Sequence, residues 1–350
     1  MGRQRTGSPQ PDAAAGRPAR IEDIAAAAGV SVATVSRALR ARPNVAPATR
    51  RRVLEAASAL EYEAHPLASR LASGRTLTVG VVAPLFGTWF PHRALGGIHT
   101  VLATAGYDLL ISVTNHADDR RRFLEGARSF CRRVDGIVLI DAFVGVDGDL
   151  PGVLAYSRVT SVGERLRGAS SITIDNRAAA RRAVEHLIES GHESIGLIAG
   201  TEIQGVPSSA PSLRRSGYRD ALEAAGLTVD RRLEALADWS AGGGARAMAQ
   251  LMGSARPPTA VFCMSDELAF GALRTARRAG LAVPADLSVV GFDDHELAEA
   301  LGLTTMRQAV EEMGVRAAET VLGMIERDEA RSDIRWEVPL VVRDSTARAG

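Results

Sequence analysis

Apolar positions change their period along this chain near residue 76. Before that point Ile21, Ile24, Ala25 and Ala28 recur at helical spacing, and Glu22 and Asp23 fall in the first turn, where the helix dipole favours acids. Gly29 suits a left-handed C-cap, and Ser31 is placed to cap the helix that follows. That second helix is expected from Val32 to Arg40, with Val35, Ala38 and Leu39 on one face and Val32, Ala33, Ser36 and Arg37 on the other. After a Pro43-Asn44 turn, Pro47 fits the first position of a third helix, whose apolar stripe is Val53, Ala57 and Leu60. Three short helices around a tight glycine turn predict a helix-turn-helix bundle. From Thr76 onward short β-rich runs alternate with longer helical stretches. The runs are Leu77 to Ala83, Tyr107 to Val113, Gly136 to Ile140, Ser171 to Ile174, Ile195 to Ala199, Ala260 to Met264 and Leu287 to Gly291. Such a rhythm predicts βαβ units and parallel sheets covered on both faces.

Parallel sheets bind ligands beyond the carboxyl ends of their strands, so the residues after each run carry the candidate chemistry. Trp89 and Phe90 follow the first run, Asp175-Asn176, Ser265-Asp266 and Asp293-Asp294 follow later ones, and Trp239 sits in an Asp-Trp-Ser loop. Carboxylates and amides that hold hydroxyls, beside aromatic plates, predict a site for a sugar or nucleoside. Each residue also has a plainer reading: Asp266 as a cap for a helix starting at Glu267, Asp175 and Asp293 as turn residues, the tryptophans as core.

Composition narrows the function classes. All 42 basic residues are arginine, which excludes a Schiff base, a Walker phosphate lysine and a lysine general base. No HExxH, GxSxG or GxGxxG pattern occurs, and the histidines, among them His99, His116, His186, His192 and His295, are scattered. No catalytic residue, metal ligand or cofactor is expected. Cys131 and Cys263 stand alone, which suits reduced thiols. The first twenty residues lack an apolar signal core and read as a disordered tail, and no run is long enough to span a bilayer, so a soluble cytoplasmic protein is expected. Residues 1–75 hold twelve Arg against six acids, whereas the remainder carries 30 Arg against 35 acids. A basic head that seeks a polyanion is thereby set apart from a mildly acidic body.

The run Ile-Glu-Asp-Ile-Ala-Ala-Ala-Ala-Gly-Val-Ser-Val-Ala-Thr-Val-Ser-Arg-Ala-Leu, residues 21–39, resembles the LacI/GalR repressor family through its AGVSxxTVSR signature. The resemblance continues through Asn44-Val45, Thr49-Arg50, Leu60-Glu61-Tyr62 and Leu67 to Leu71, and on to Val342-Arg343-Asp344-Ser345-Thr346. It implies a sequence-specific transcriptional regulator, a repressor, with a helix-turn-helix head over 21–64, a hinge helix and linker over 65–75, and an effector-binding body over 76–350. The body would consist of two doubly wound parallel-sheet lobes of the periplasmic-binding-protein type joined by three crossovers, one lobe over 76–175 and 308–337, the other over 176–307 and 338–348.

By the same resemblance Val32, Ala33 and Arg37 match base-reading positions, and Ser31, Thr34, Ser36 and Thr49 match phosphate-positioning ones, with Asn44 also on the DNA side. A bidentate arginine fits guanine in the major groove and short hydroxyls fit phosphates. Arg37 as a solvated surface charge is the plain alternative. Leu71 matches a residue that wedges into the minor groove, the alternative being that it packs against the body. Arg214, in Arg-Arg-Ser-Gly-Tyr, matches an effector-binding arginine. The chain departs from the family at Ala64-His65, at Thr88-Trp89-Phe90-Pro91 and at Ser265-Asp266. The expected partners are a pseudo-palindromic double-stranded operator, a small carbohydrate effector and a second copy of the chain, since no heptad extension follows Thr346. A stand-alone sugar-binding protein or a sugar-acting enzyme on the same α/β fold is the rival reading.

Overall fold

The computed structural model describes residues 19–39, 44–60, 62, 75–84, 89–141, 150–155, 157–201 and 209–350. The expected hinge segment 65–74 with Leu71 lies outside the described residues, as do Arg40, Pro43 and Thr88. The chain divides into two compact units, Met1–Thr76 and Leu77–Gly350.

In the first unit α1 (Ile21–Ala28), α2 (Val32–Leu39) and α3 (Pro47–Ala59) enclose a small core of Ile24, Ala25, Ala28, Val35, Ala38, Val53 and Ala57. The turn between α1 and α2 depends on Gly29, whose φ of +62° is a left-handed conformation that costs glycine little. Ser31 caps α2, its hydroxyl accepting from Thr34 N at 3.2 Å. Two positions read as core are less buried than their spacing implies. Leu39 is only half-buried at the last position of α2, and Leu60 is exposed because α3 ends one residue before it.

The second unit holds two six-stranded sheets. β1 (Thr78–Ala83), β2 (Asp108–Val113), β3 (Gly136–Ile140), β4 (Val159–Val162), β5 (Ser170–Ile174) and β11 (Asp333–Trp336) form an all-parallel sheet in the order β11-β5-β4-β3-β1-β2. β6 (Ile195–Gly200), β7 (Glu234–Ala237), β8 (Ala260–Cys263), β9 (Ser288–Asp293), β10 (Thr304–Arg307) and β12 (Leu340–Val341) form the other, in the order β12-β10-β9-β8-β6-β7, with only β12 antiparallel. Both are doubly wound, with the reversal of strand order beside β1 and β6 that marks a ligand crevice at the carboxyl ends. The chain passes between the sheets three times, between β5 and β6, between β10 and β11, and between β11 and β12.

The seven β-rich runs all form strands, and five further strands lack a clear signal. β4 is a four-residue Val-Thr-Ser-Val, β7 reads Glu-Ala-Leu-Ala with helix-forming residues, and β10, β11 and β12 are short segments of the later crossings. Sheet pairing overrides weak local preference at each. β9 also runs two residues beyond its apolar run, so Asp293 is the last residue of the strand and not part of a loop.

Each lobe is stiffened by helices whose backbones touch. In the first lobe α4 (Trp89–Thr104) packs on α11 (Val310–Glu326). A Cβ on Gly97 would collide with the carbonyl of Glu311, and one on Gly314 with that of Ala94. In the second lobe α8 (Ala241–Met252) and α9 (Asp266–Arg278) meet in the same way, Gly244 against the carbonyl of Leu268 and Gly271 against that of Ala241. No helix among the described residues is long and apolar enough to cross a membrane.

The close approach makes a paired prediction. Gly97→Ala should destabilise the protein by about 1–3 kcal/mol through overpacking. Gly96→Ala, whose new Cβ would meet nothing within 4 Å, should be neutral or stabilising by up to about 1 kcal/mol. Urea unfolding of the two variants checks it, and equal effects would contradict the backbone contact.

Candidate functional site

In the first unit α2 turns one of its faces to solvent. Val32, Ala33 and Arg37 of α2 are exposed, Thr34 and Ser36 are half-buried beside them, and Val35 and Ala38 anchor the opposite face in the core. Ser31 and Thr34 pair through their hydroxyls at 2.9 Å, so the cap that starts α2 also orders two small donors at its N-terminus. Asn44 is exposed shortly before α3, and Thr49 is half-buried in the first turn of that helix. Arg52 of α3 donates to the carbonyl of Ala28 at 3.2 Å, tying α3 to the end of α1.

In the second unit the carboxyl ends of both sheets face a common cavity. Trp89, Phe90 and Asp141 come from the first lobe, and Arg214, Trp239, Ser265, Glu267 and Asp293 from the second. Arg214 lies on α7 (Ser209–Ala224) and is only 6% exposed. Its Nε donates to Asn176 Oδ1 at 2.8 Å and its Nη1 to the carbonyl of Met264, while the guanidinium stacks 3.6 Å over the ring of Phe292. Asp293 stands 3.9 Å from Nη1, close enough to compensate the buried charge, and accepts from Gln308 Nε2 at 2.6 Å. A φ of +122° at Asp293 and +57° at Asp294 turns the chain sharply at this end of β9.

Trp89 opens α4 and reaches the other lobe. Its indole Nε1 donates to Glu296 Oε2 at 2.7 Å, and its ring lies 5.3 Å from that of His295. Its backbone N–H donates to the carboxylate of Glu267. Trp239 donates to the carbonyl of Thr201 at 2.7 Å and covers Gly200 so closely that any Cβ there would enter the indole. A third link across the cleft joins Glu164, after β4, to Ser209: the backbone N–H donates to Oε1 at 2.8 Å and the hydroxyl to Oε2 at 2.6 Å, capping α7 from the opposite lobe.

Two of the expected effector residues do not line the cavity. Asp175 caps α6 (Asn176–Glu189), accepting from Ala178 N at 3.0 Å, and pairs with Arg335 at 3.0 Å. Its neighbour Asn176 takes the cavity wall. Asp266 is fully buried behind the wall, where it accepts from Thr305 Oγ1 at 2.6 Å and from His295 N at 2.8 Å, and so positions the turn after β9. Nor is Asp266 the cap of its helix, since Ser265 Oγ accepts from Leu268 N at 3.3 Å.

Sequence reasoning missed Asp141, Glu267 and Gln308 as wall residues, and it named Asn176 only as the partner of Asp175 at a strand end. Asp141 directly follows the apolar run of β3, so the strand-end rule could have found it; Gln308 follows β10, which leaves no such signal. Burial foremost, then the charges of Glu164 and Asp293, push Asp141 up to about 8 against the pull of Arg214. Burial pushes Asp293 up to about 7, with Arg214 and the Gln308 hydrogen bond opposing. Burial, reinforced by Asp293, holds Asp266 well above the carboxylate range.

Comparison with known proteins agrees with both units. Residues 20–65 match the family described as bacterial regulatory proteins, lacI family, and residues 184–346 match a periplasmic binding protein-like domain. The chain is 34% identical over 340 residues to the HTH-type transcriptional repressor CytR of Escherichia coli K12, covering 94% of this chain and 96% of that protein. Its structure is similar to that of a transcriptional regulator CelR–cellobiose complex, with 32% identity, a TM-score of 0.67, and 94% of this chain and 100% of that one covered. It is also similar to the lac repressor dimer bound to operator and the anti-inducer ONPF, with 26% identity, a TM-score of 0.80, and 95% and 100% covered.

The link between Glu164 and Ser209 is open to direct test. Glu164→Ala removes a helix cap and a bond between the lobes, so it should lower stability by about 1–2 kcal/mol at neutral pH. Chemical denaturation measures the loss, and an unchanged midpoint would mean that the link contributes nothing.

Proposed function

The chain belongs to the LacI family of bacterial regulatory proteins, and from that premise we propose that it is a transcriptional repressor whose hold on operator DNA is set by a small hydroxylated effector in the cleft. The observation that carries this reading is the pairing in one chain of an outward helix face bearing Arg37 with a cavity walled by aromatic rings, carboxylates and one guanidinium. Arg37 reads a guanine edge in the major groove through two parallel hydrogen bonds, while Val32 and Ala33 leave room for a thymine methyl. Ser31, Thr34, Ser36, Asn44 and Thr49 take phosphates and set the register.

In the cavity Trp89, Phe90 and Trp239 supply flat apolar walls for the faces of a ring. Asp293, Ser265 and Arg214 hold its hydroxyls. A homodimer acting on a pseudo-palindromic operator follows from two-fold symmetry. The stand-alone binding protein is disfavoured by the helix-turn-helix unit, and the relatives that cover nearly the whole chain are regulators and not enzymes.

Two variants separate the two halves of the proposal. On an operator selected from random duplexes, Arg37→Ala should cost about 1–3 kcal/mol, with little loss on unrelated DNA; equal loss on both would remove Arg37 from base reading. Arg214→Gln should raise at least tenfold the concentration of effector needed to release operator, measured by fluorescence anisotropy of the labelled duplex. An unshifted titration would place the effector elsewhere.

A further inference from the structure

We infer that the cavity is built for a hydroxylated ligand carrying a positively charged nitrogen, held at Asp141 among the aromatic rings, and that it rejects phosphorylated and carboxylated molecules of the same shape. The inference rests on the regulatory reading above and names the chemical class of its effector.

Charge balance is the first observation. Three carboxylates, Asp141, Glu267 and Asp293, line the cavity among the described residues, and Arg214 is the one guanidinium there. Arg214 is also largely committed. Asn176 and the Met264 carbonyl take hydrogen bonds from it, Phe292 covers one face, and Asp293 stands beside it. A ligand phosphate would therefore find no uncommitted guanidinium among the described lining residues, in a site where burial strengthens repulsion from any carboxylate that ionises.

The second observation is where the acids are satisfied and where they are not. Glu267 accepts from the Trp89 backbone, Asp293 from Gln308, and Glu164, just behind the wall, from Ser209. Asp141 has no hydrogen-bond partner for its carboxylate among the described residues. The charged groups that face it are Glu164, Arg214 and Asp293, two acids against one base. Gly163, with a φ of +93°, lies against Asp141 Oδ1, so a side chain there would displace the carboxylate, and both residues line the cavity.

The third observation is the remainder of the wall. Trp89, Phe90 and Trp239 present aromatic surface in the same cavity. Rings attract cations over their faces, and rings combined with a free carboxylate are the surroundings that a protonated amine selects. A neutral sugar would use the rings and leave Asp141 in the protonated form that burial favours at pH 7. An ammonium group uses the rings and also stabilises the ionised carboxylate of Asp141, the form that burial otherwise disfavours.

The test uses the full chain at pH 7 and calorimetric titration with matched quartets. One quartet is D-glucosamine, D-glucose, D-glucuronate and D-glucose 6-phosphate, and the other is the galactose equivalent. In any quartet that binds, the amine should bind at least tenfold tighter than the neutral sugar, and the acid and phosphate weaker still. Asp141→Asn should erase the amine's advantage. An acid or phosphate that binds as well as its neutral counterpart, or an amine without advantage, overturns the inference.

A second measurement needs no ligand. Asp141 ionises near 3.8 when unfolded and near 8 when folded, so its contribution to stability is full below about 4 and is lost as pH rises to about 8. The melting temperature of Asp141→Asn should therefore exceed that of the parent by a margin that grows between pH 4 and 8 and then levels. A margin that stays flat means that the folded site does not disfavour the charge of Asp141, and the inference falls even if no sugar of either quartet binds. Failure of every ligand, whatever its charge, to release operator would instead count against the regulatory reading and leave the pH result standing.

Discussion

A guanidinium taken out of water must be compensated where it lies, and in the second unit that requirement falls on Arg214. Its partners come from widely separated parts of the chain. Asn176 stands just past the first passage between lobes, the Met264 carbonyl follows β8, Phe292 lies within β9, and Asp293 ends that strand. Gln308, at the second passage, in turn holds Asp293. One buried charge thus gathers two of the three interlobe passages and the ends of two adjacent strands into a single polar cluster. Whatever alters the field at Arg214 acts on the segments that connect the lobes.

Behind that cluster Asp266 has a different part. It gives up contact with the cavity to bind Thr305 of β10 and the backbone after β9, so that the left-handed turn at Asp293 and Asp294 has a fixed floor. Arg343 closes the far side, donating to Asp294 at 2.7 Å and to the carbonyl of Leu303 at 2.8 Å. The wall residue and its support are therefore neighbours in sequence families of acids that look alike on paper. Ser265-Asp266 and Asp175-Asn176 each contain one residue that faces the cavity and one that does not, and in the two pairs the order is reversed.

That reversal shows where sequence is legible and where it is not. Periodicity marks the three head helices and seven strands because burial of one helix face, or of both sheet faces, forces a repeat. The strand-end rule leads to Trp89, Phe90, Trp239, Ser265 and Asp293 because topology confines ligands to that edge. It does not say which of two adjacent polar residues turns inward, since a helix cap such as Asp175 and a wall residue such as Asn176 differ only by the rotation of one residue. Gln308 was hidden for another reason. Its strand, β10, is four residues of Thr-Thr-Met-Arg whose burial comes from neighbours far away in the chain.

The backbone contacts between helices have a mechanical consequence. Where α4 meets α11, and α8 meets α9, main chain rests on main chain with no side chain to flex between them. Each lobe then behaves as a plate, and strain applied at its edge is transmitted across it without being absorbed. Among the described residues, compliance is left to the three passages and to bonds that span the cleft, such as those of Trp89 and of Glu164. Such a molecule has few soft degrees of freedom, so the small work available from seating one ligand is concentrated into a change of angle between two rigid bodies.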